Sequence, residues 1–312
     1  MGTFSFELYP PRNAAAEAAL LSSLEHLAAA GPEFISVTYG AGGTTRGASI
    51  TVLRELQRSG IRPMAHLTCV GSSYDEATQL IRDFLDCGVR DFLALRGDPP
   101  VDAVAEDSGA DASGLGDLRS AGELVQLIHH VQAERSPFAE REVPGFPQAK
   151  RLCSGEKVTI AVAAFPNGHP RSRSLSQDLD TLLAKEAAGA NLAITQLFFD
   201  ADDYLGFVER ARSAGVTMRI LPGIMPVLSV RRLTKILELT EEPVPLELLR
   251  RLGAETTPEA QAAVGIEFAT ELGNAVLGGG APGLHLYTFN QHESVLAVLR
   301  GCGLLTPAKE PA

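Results

Sequence analysis

Short apolar runs alternate with longer amphipathic segments along almost the whole chain. The runs are rich in Val, Ile, Leu, Ala and Phe and stop at Gly, Pro or polar residues, which is typical of strands buried on both faces. This pattern predicts eight strands, at about residues 4–9, 34–39, 63–70, 91–95, 158–165, 192–199, 218–225 and 283–289. It also predicts ten helices, at about residues 13–30, 46–58, 74–87, 119–133, 174–188, 202–214, 229–240, 245–252, 258–277 and 291–300.

Strands that alternate with helices form parallel sheets, because each return to the same edge needs a crossover. Eight of them favour a closed (β/α)8 TIM barrel of the α/β class over an open sheet. We predict one domain over residues 1–312, with extra helices between the seventh and eighth strands. No Gly-x-Gly-x-x-Gly follows the first strand, which argues against a Rossmann fold. Residues 135–157 are polar and are predicted to form an exposed insertion.

Composition narrows the choice of partners. The formal net charge is −11, so a nucleic acid is not an expected partner. No apolar run reaches the length of a membrane span and no signal peptide is recognised, so no membrane partner is expected. The four cysteines have no CxxC or zinc spacing, which favours reduced thiols and a cytoplasmic protein. An anionic cofactor is still compatible, because glycine turns and helix N-termini act at short range.

The chemistry of a TIM barrel lies at the carboxyl ends of its strands. The polar residues expected there are Glu7, Thr38, His66, Arg96, Asp98, His169 and Gln196. Arg96 and Asp98 follow an apolar run and precede two prolines, which place the strand end at the mouth of the barrel. From this stretch alone, a solvated strand-to-loop junction is an equally good interpretation.

Glu7 stands between Phe6 and Leu8 and should point to the opposite face of the strand. A carboxyl group inside the barrel loses water, so its pKa should rise toward that of a general acid. The alternative is a structural glutamate paired with an arginine. His66 and His169 have no third ligand at a characteristic spacing, and no metal site is predicted.

Seven motifs, in order along the chain, resemble those of the methylenetetrahydrofolate reductase family. They are Phe-Glu-Leu-Tyr-Pro-Pro-Arg at 6–12, Val-Thr-Tyr-Gly-Ala-Gly-Gly at 37–43, His-Leu-Thr-Cys at 66–69, Leu-Arg-Gly-Asp-Pro-Pro at 95–100, Ala-Ala-Phe-Pro-Asn-Gly-His-Pro at 163–170, Gly-Ala-Asn-Leu-Ala-Ile-Thr-Gln at 189–196 and Leu-Tyr-Thr-Phe-Asn at 286–290. Each motif alone is weak, but seven in sequence are specific.

The resemblance implies a flavoprotein barrel that reduces 5,10-methylenetetrahydrofolate to 5-methyltetrahydrofolate, which supplies methyl groups for methionine synthesis. Hydride would pass from NADH or NADPH to bound FAD and then to folate in a ping-pong sequence. The family forms homo-oligomers, so a homo-oligomer is expected. The chain ends soon after the last predicted strand, which implies the bacterial type without the regulatory domain of animal members, and no inhibition by S-adenosylmethionine.

The resemblance also assigns roles to single residues. Glu7 matches the general acid that protonates N10 of the substrate, and Asp98 the carboxylate that stabilises the iminium cation formed on ring opening. The substrate contacts would be Gln196, Arg232 and Gln291. The cofactor contacts would be Thr38, Tyr39, Ala41, His66, Arg96, Gly97, Asp98, Phe165, His169, Asp178, Thr181 and Lys185. Without the resemblance, Lys185 would be interpreted as a solvated surface lysine.

Several positions differ from the family pattern. Asn167 stands where glutamate is usual, and Phe165 where some members have tyrosine. Ser120 stands where many have tyrosine, Arg232 where others have glutamine, and Gln291 where some offer an arginine to folate. Loss of a hydroxyl at Phe165 would remove one flavin hydrogen bond while keeping the ring. These differences concern single contacts with flavin and folate.

Two other functions remain open on the sequence. The first is a relative that reduces the same substrate without flavin, by direct hydride transfer from the nicotinamide. The second is a non-catalytic barrel that binds folate or a protein partner. Retention of Lys185 and His169 argues against the first, and retention of Glu7 and Asp98 argues against the second.

Overall fold

The computed structural model of the protein describes residues 2–11, 13–38, 46–69, 72–97, 116–135, 139–143, 146–153 and 158–305. The backbone alone is described for residues 139–143 and 146–153 and for Arg46. Asp98, Tyr39 and Ala41, three of the predicted site residues, lie outside the described residues.

Eight parallel strands close into a barrel in the order β1-β10-β9-β8-β7-β4-β3-β2. The strands are β1 (Thr3–Leu8), β2 (Ile35–Val37), β3 (Pro63–Thr68), β4 (Asp91–Leu95), β7 (Thr159–Ala164), β8 (Leu192–Leu197), β9 (Arg219–Ile224) and β10 (Gly283–Tyr287). The closing pair joins β1 to β10, in a register that sets Glu7 opposite Tyr287. All eight predicted strands are therefore present, and the predicted barrel is confirmed.

Ten helices connect and cover the strands within the described residues. They are α1 (Ala14–Ala29), α2 (Arg46–Arg58), α3 (Tyr74–Asp86), α4 (Ala121–Arg135), α5 (Leu175–Ala187), α6 (Ala201–Ser213), α7 (Val230–Thr240), α8 (Leu246–Ala254), α9 (Pro258–Gly278) and α10 (His292–Gly301). Three of them, α7 to α9, lie between β9 and β10 as predicted. No helix among the described residues is long and apolar enough to cross a membrane.

The segment 135–157 contains two strands that the sequence pattern did not predict. Strands β5 (Ala139–Val143) and β6 (Phe146–Cys153) pair in antiparallel fashion and form a small sheet apart from the barrel. The two strands carry mainly polar and charged residues, so they lack the apolar runs from which the barrel strands were predicted.

Alternation along each strand separates two cores. On β1, Phe4, Phe6 and Leu8 pack with the core between strands and helices, whereas Ser5 and Glu7 point into the barrel. A distinct apolar layer fills the barrel interior, formed by Phe34, Met64, Leu93, Ala161, Leu192, Ile194 and Leu221. The interior is therefore packed below the level of Glu7, and polar side chains lie above this layer, toward the carboxyl ends of the strands.

Candidate active site

Glu7 is a buried carboxyl group near the carboxyl end of β1, with only 7% of its surface exposed. Burial raises its pKa from 4.5 to about 7, although a hydrogen bond from the Tyr9 hydroxyl acts in the opposite direction. No arginine or lysine forms an ion pair with Glu7 among the residues that the structure describes. The alternative of a structural arginine pair therefore has no support in this part of the chain.

Two neutral histidines lie in the same interior. His66 Nε2 is 3.7 Å from Glu7 Oε2 and is buried without a hydrogen-bond partner. Burial lowers the pKa of His66 to about 3, so its ring is uncharged near neutral pH. His285 is also fully buried with a pKa of about 3, and its Nδ1 shares a 2.8 Å hydrogen bond with Ser5 Oγ. Neither ring can balance a negative charge on Glu7 near neutral pH.

Tyr287 forms the wall of the barrel next to Glu7. Its hydroxyl donates to the Thr195 carbonyl at 2.8 Å, and Thr195 Oγ1 accepts from the Gly223 backbone at 2.9 Å. A Cβ at position 223 would lie 2.4 Å from the Thr195 oxygen and 2.9 Å from the Tyr287 hydroxyl. The glycine therefore provides the space in which Tyr287 reaches across to β8.

The loop after β10 holds the end of β1. The Asn290 side chain accepts from the Tyr9 backbone N–H at 2.8 Å and donates to the Tyr9 carbonyl at 2.9 Å. Thr288 Oγ1 donates to the Glu7 carbonyl at 2.7 Å. Phe289 and Asn290 have positive φ values of 49° and 61°, a strained conformation that these contacts stabilise. Sequence reasoning missed this clamp, although an asparagine after a strand is a known signal for left-handed backbone.

The predicted substrate residues Arg232 and Gln291 are brought into contact at the rim. Arg232 Nη1 donates to Gln291 Oε1 at 3.4 Å, and the guanidinium lies 5.0 Å from the centre of the Phe289 ring. Phe289 stacks in turn on Tyr9, with ring centroids 5.6 Å apart. Burial lowers the pKa of Arg232. No carboxylate ion-pairs with this arginine within the described ranges, so the rim offers a cation to an anionic ligand.

A second group of side chains lies across the mouth, on the side of β7 and α5. Lys185 is partly buried, its Nζ donates to the Ala163 carbonyl at 2.8 Å, and desolvation lowers its pKa to about 8. Asp178 opposes that change, and it accepts hydrogen bonds from the His169 backbone at 3.1 Å and from the Ser172 hydroxyl. Lys185 is therefore not the solvated surface lysine that its sequence context alone suggests.

His169 and Phe165 stand on the loop between β7 and α5. Their rings meet edge to face, with centroids 4.7 Å apart. His169 Nδ1 accepts from the Arg171 backbone at 3.0 Å, which leaves the hydrogen of the neutral ring on Nε2. Partial burial and the positive charges of Arg96 and Lys185, among others, lower the pKa of His169. The predicted cofactor residues on β4, β7 and α5 thus form one electrostatic group.

The other predicted residues have local partners. Thr38 Oγ1 donates to the Leu8 carbonyl at 3.4 Å, and Gln196 Oε1 accepts from the Leu197 backbone at 2.9 Å. Thr181 is exposed, and its hydroxyl donates to a backbone carbonyl of its own helix. Gly97 has a φ of 84°, which glycine adopts without strain.

The second group fits an anionic dinucleotide. Arg96, Lys185 and the Nε2 donor of His169 gather at one side of the mouth of an acidic protein. A cavity of about 340 Å³ opens against His169 and Asp178, between the loop that carries His169 and residues 240–243. In addition, Nε2 of His66 is buried without a hydrogen-bond partner, and a bound ligand would satisfy it. Within the described ranges, no set of three or more His, Cys, Asp or Glu could hold a metal ion.

Comparison with known sequences gives a consistent family match. A sequence model of the family described as methylenetetrahydrofolate reductase matches residues 1–303. The 5,10-methylenetetrahydrofolate reductase of Salmonella typhimurium is 33% identical over 303 residues, which cover 96% of this chain and 90% of that protein. The protein of the same name from Escherichia coli K12 is 32% identical over 302 residues, with the same coverage. Methylenetetrahydrofolate reductase (NADH) 1 of Arabidopsis thaliana is 31% identical over 98% of this chain and 49% of its own length.

Comparison with solved structures supports the fold. An uncharacterized protein from Clostridium thermocellum that binds two copies of 5-methyl-5,6,7,8-tetrahydrofolic acid superposes with a TM-score of 0.61. The alignment covers 97% of this chain and 95% of that one, at 13% sequence identity. At this identity the likeness concerns the barrel alone.

Proposed function

This chain belongs to the methylenetetrahydrofolate reductase family, and on that premise we propose that it reduces 5,10-methylenetetrahydrofolate to 5-methyltetrahydrofolate. NADH or NADPH is the electron donor and FAD is the bound cofactor. The observation that carries the proposal is Glu7, a buried carboxyl group that keeps its proton to about pH 7 at the mouth of the barrel.

Glu7 acts as the general acid. Opening of the five-membered ring of the substrate requires a proton on N10, and a carboxyl group with a pKa near the working pH is suited to donate it. The Tyr9 hydroxyl and the clamp at Asn290 hold this carboxyl group and its strand in place. Asp98, which follows Gly97 in the sequence, would provide the opposing negative charge that stabilises the iminium cation.

The group around Lys185 would hold the cofactor. Lys185 and Arg96 would neutralise the pyrophosphate, and His169 Nε2 would donate a hydrogen bond to it. Asp178 would hold ribityl or ribose hydroxyls, and His66 would meet the ring system from inside the barrel. Bound FAD, once reduced by NADH or NADPH, would supply the hydride that converts the iminium to a methyl group.

The opposite rim would bind the folate. Gln196, which is half-buried near the end of β8, would offer its amide to the pterin. Arg232 and Gln291 would meet the outer part of the substrate, whose glutamate tail is anionic. Arg232 is suited to this role because its charge is partly desolvated and has no carboxylate partner within the described ranges.

We place this activity in the cytoplasm, in a homo-oligomer that supplies methyl groups for methionine synthesis. An absorption spectrum of the purified protein distinguishes it from a flavin-independent reductase. Flavin bands support the proposal, and their absence after addition of FAD would favour direct hydride transfer from the nicotinamide.

The decisive experiment separates the two half-reactions in a Glu7→Gln variant. Glutamine keeps the size of the side chain but cannot donate an acidic proton, so reduction of flavin by NADH or NADPH should stay within about twofold of the unmodified protein. Oxidation of the reduced flavin by 5,10-methylenetetrahydrofolate should slow by about 10²- to 10⁴-fold. Both are measured by stopped-flow absorbance of the flavin.

Glu25→Gln is a suitable control, because this glutamate is exposed in the last part of α1, which runs toward the amino end of the barrel strands. The control should leave both half-reactions unchanged. If Glu7→Gln leaves folate reduction intact, the acid is another group. If the unmodified protein binds FAD but 5,10-methylenetetrahydrofolate does not oxidise the reduced flavin, the proposed reaction is wrong.

A further inference from the structure

Asn167 forms an unusual bridge at the turn after β7. Its Nδ2 donates to Asp203 Oδ2 at 3.0 Å and to Glu242 Oε2 at 2.8 Å. Asp203 lies in the first turn of α6, and Glu242 follows α7 and is buried, with 8% of its surface exposed. The two carboxylates determine which end of the Asn167 amide faces them, because carboxylates only accept hydrogen bonds and the amide nitrogen is the donor.

The bridge relieves an electrostatic conflict. Burial and the negative charge of Asp203 both raise the pKa of Glu242, whereas the hydrogen bond from Asn167 lowers it. One neutral amide thus gives one hydrogen to each of two carboxylates that repel each other. A carboxylate at position 167 would remove both donors and add a third negative charge.

The bridge also fixes one side of a functional loop. Residues 165–172 carry Phe165 and His169, and Asp178 holds the other side of the loop through the His169 backbone and the Ser172 hydroxyl. Gly168 turns the chain between the two anchors with a φ of 92°. Asn167 joins this loop to α6 and to the segment after α7, neither of which carries a proposed cofactor contact.

We propose that Asn167 is a positioning residue that sets the flavin-binding loop by bridging Asp203 and Glu242. Its effect on flavin rests on the proposed function, whereas its effect on the loop does not. The charged and titratable groups that face this arrangement are Asp203 from α6, Glu241 and Glu242 at and after the end of α7, and His169, Arg173 and Asp178 beyond the turn. The role is indirect, because Asn167 acts through the loop and not on the cofactor itself.

The test is an Asn167→Asp variant titrated with FAD from pH 5.5 to 8. At pH 8 three carboxylates meet, and the dissociation constant for FAD should rise by about tenfold or more relative to the unmodified protein. At pH 5.5 a carboxyl group of the cluster takes up a proton and can donate again, so most of the difference should disappear. Asn274→Asp adds the same charge on the exposed face of α9 and should leave the FAD titration unchanged.

Two further variants distinguish loss of the Asn167 bridge from a general loss of folding. Asn167→Ala removes the donors without adding charge, so it should weaken FAD binding less and without the same dependence on pH. Glu242→Gln in the Asn167→Asp background restores a donor within the cluster and should recover at least half of the lost affinity on a logarithmic scale. If Asn167→Asp binds FAD like the unmodified protein at pH 8, the proposal is wrong.

Hydrogen exchange of the flavin-free proteins gives a readout that needs no cofactor. At pH 8, amides of residues 165–172 should exchange about tenfold faster in Asn167→Asp than in the unmodified protein, with no change in the barrel strands. If the unmodified protein binds no flavin, the proposed function fails, and exchange alone decides the role of Asn167. Equal exchange of the loop in both proteins would overturn the positioning role.

Discussion

The two ends of the barrel differ in whether their charged side chains form ion pairs. At the amino end of the strands, Arg62 binds Asp91 with contacts of 2.7 and 3.2 Å, and Arg219 binds Glu33 with contacts of 2.8 and 3.0 Å. Every one of these charges has a partner of the opposite sign. At the carboxyl end, Glu7 is buried and Lys185 partly buried, neither with a lysine, arginine or carboxylate ion pair among the described residues, and His66 Nε2 has no hydrogen-bond partner.

The difference separates stability from function. A charge that is paired at a barrel end stabilises the fold, whereas a charge that is buried without a partner lowers stability unless a ligand satisfies it. The unpaired set lies where the cofactor and substrate are proposed to bind. Three substitutions test this contrast, and they follow in order of the expected size of the effect.

The largest effect concerns the stability of the protein against pH. Because the pKa of Glu7 is about 7 in the folded protein and 4.5 for an ordinary glutamate in water, the folded protein keeps a proton that the unfolded chain releases. Its contribution to stability is full below pH 4.5 and is lost as pH rises through 7, a change of roughly 3 kcal/mol. Relative to Glu7→Gln, the unmodified protein should therefore lose about that amount between pH 5 and 8.

Urea unfolding of the two proteins at equal flavin content measures this difference. His66 and His285 have lowered pKa values and act in the opposite direction below pH 6.5, but both proteins carry them and their contributions cancel in the comparison. A difference that does not change with pH would mean that Glu7 is ionised in the folded protein throughout this range.

The second prediction concerns the paired charges at the amino end of the strands. Asp91→Ala removes a carboxylate that is 3% exposed and leaves Arg62 without its partner, so the free energy of unfolding should fall by about 1–3 kcal/mol. The loss is moderate because the Arg62 side chain is 56% exposed and can turn to water. Flavin binding and both half-reactions should not change, as measured by FAD titration and stopped flow. A loss of flavin affinity equal to that of a mouth variant would contradict the separation.

The third prediction, with the smallest expected effect, concerns the removal of a charge without an ion pair at the carboxyl end of the strands. Lys185→Met replaces the partly buried ammonium with an apolar chain, so FAD affinity should fall by about tenfold while stability without flavin stays equal or rises. Lys235→Met, on the exposed face of α7, is the matched control and should alter neither quantity. Retained FAD affinity in Lys185→Met would remove the pyrophosphate role, and a large loss of stability would show that the ammonium is structural.

The architecture was predictable because its signals are local. Each barrel strand is an apolar run that stops at a turn residue, and each crossover requires a helix, so the eight strands and the (β/α)8 barrel follow from the pattern. The direction of Glu7 also follows, because side chains alternate along a strand. The hairpin at 139–153 was missed because its polar strands carry no such signal.

The details of the site depend on contacts between distant residues. The hydrogen bond from Tyr9 to Glu7 joins near neighbours in the sequence, but the backbone of Tyr9 is held by a residue after β10. The Asn290 clamp joins residues that are 281 positions apart. The bridge at Asn167 joins its own loop to the first turn of α6 and to the segment after α7, and the sequence showed only that this residue differs from the family pattern.

The bridge also affects how readily Asn167 deamidates during storage of the protein. Asn167 precedes Gly168, and an asparagine before a glycine is prone to hydrolysis of its amide through attack by the next backbone nitrogen. Both amide hydrogens are engaged in the folded chain, which slows this reaction while the fold is intact. In stored or partly unfolded protein, this attack would release ammonia through a cyclic imide, and hydrolysis of the imide would leave aspartate or isoaspartate at position 167. Either product adds a carboxylate to the cluster, so a preparation should lose its cofactor with time in alkaline buffer before it loses its fold.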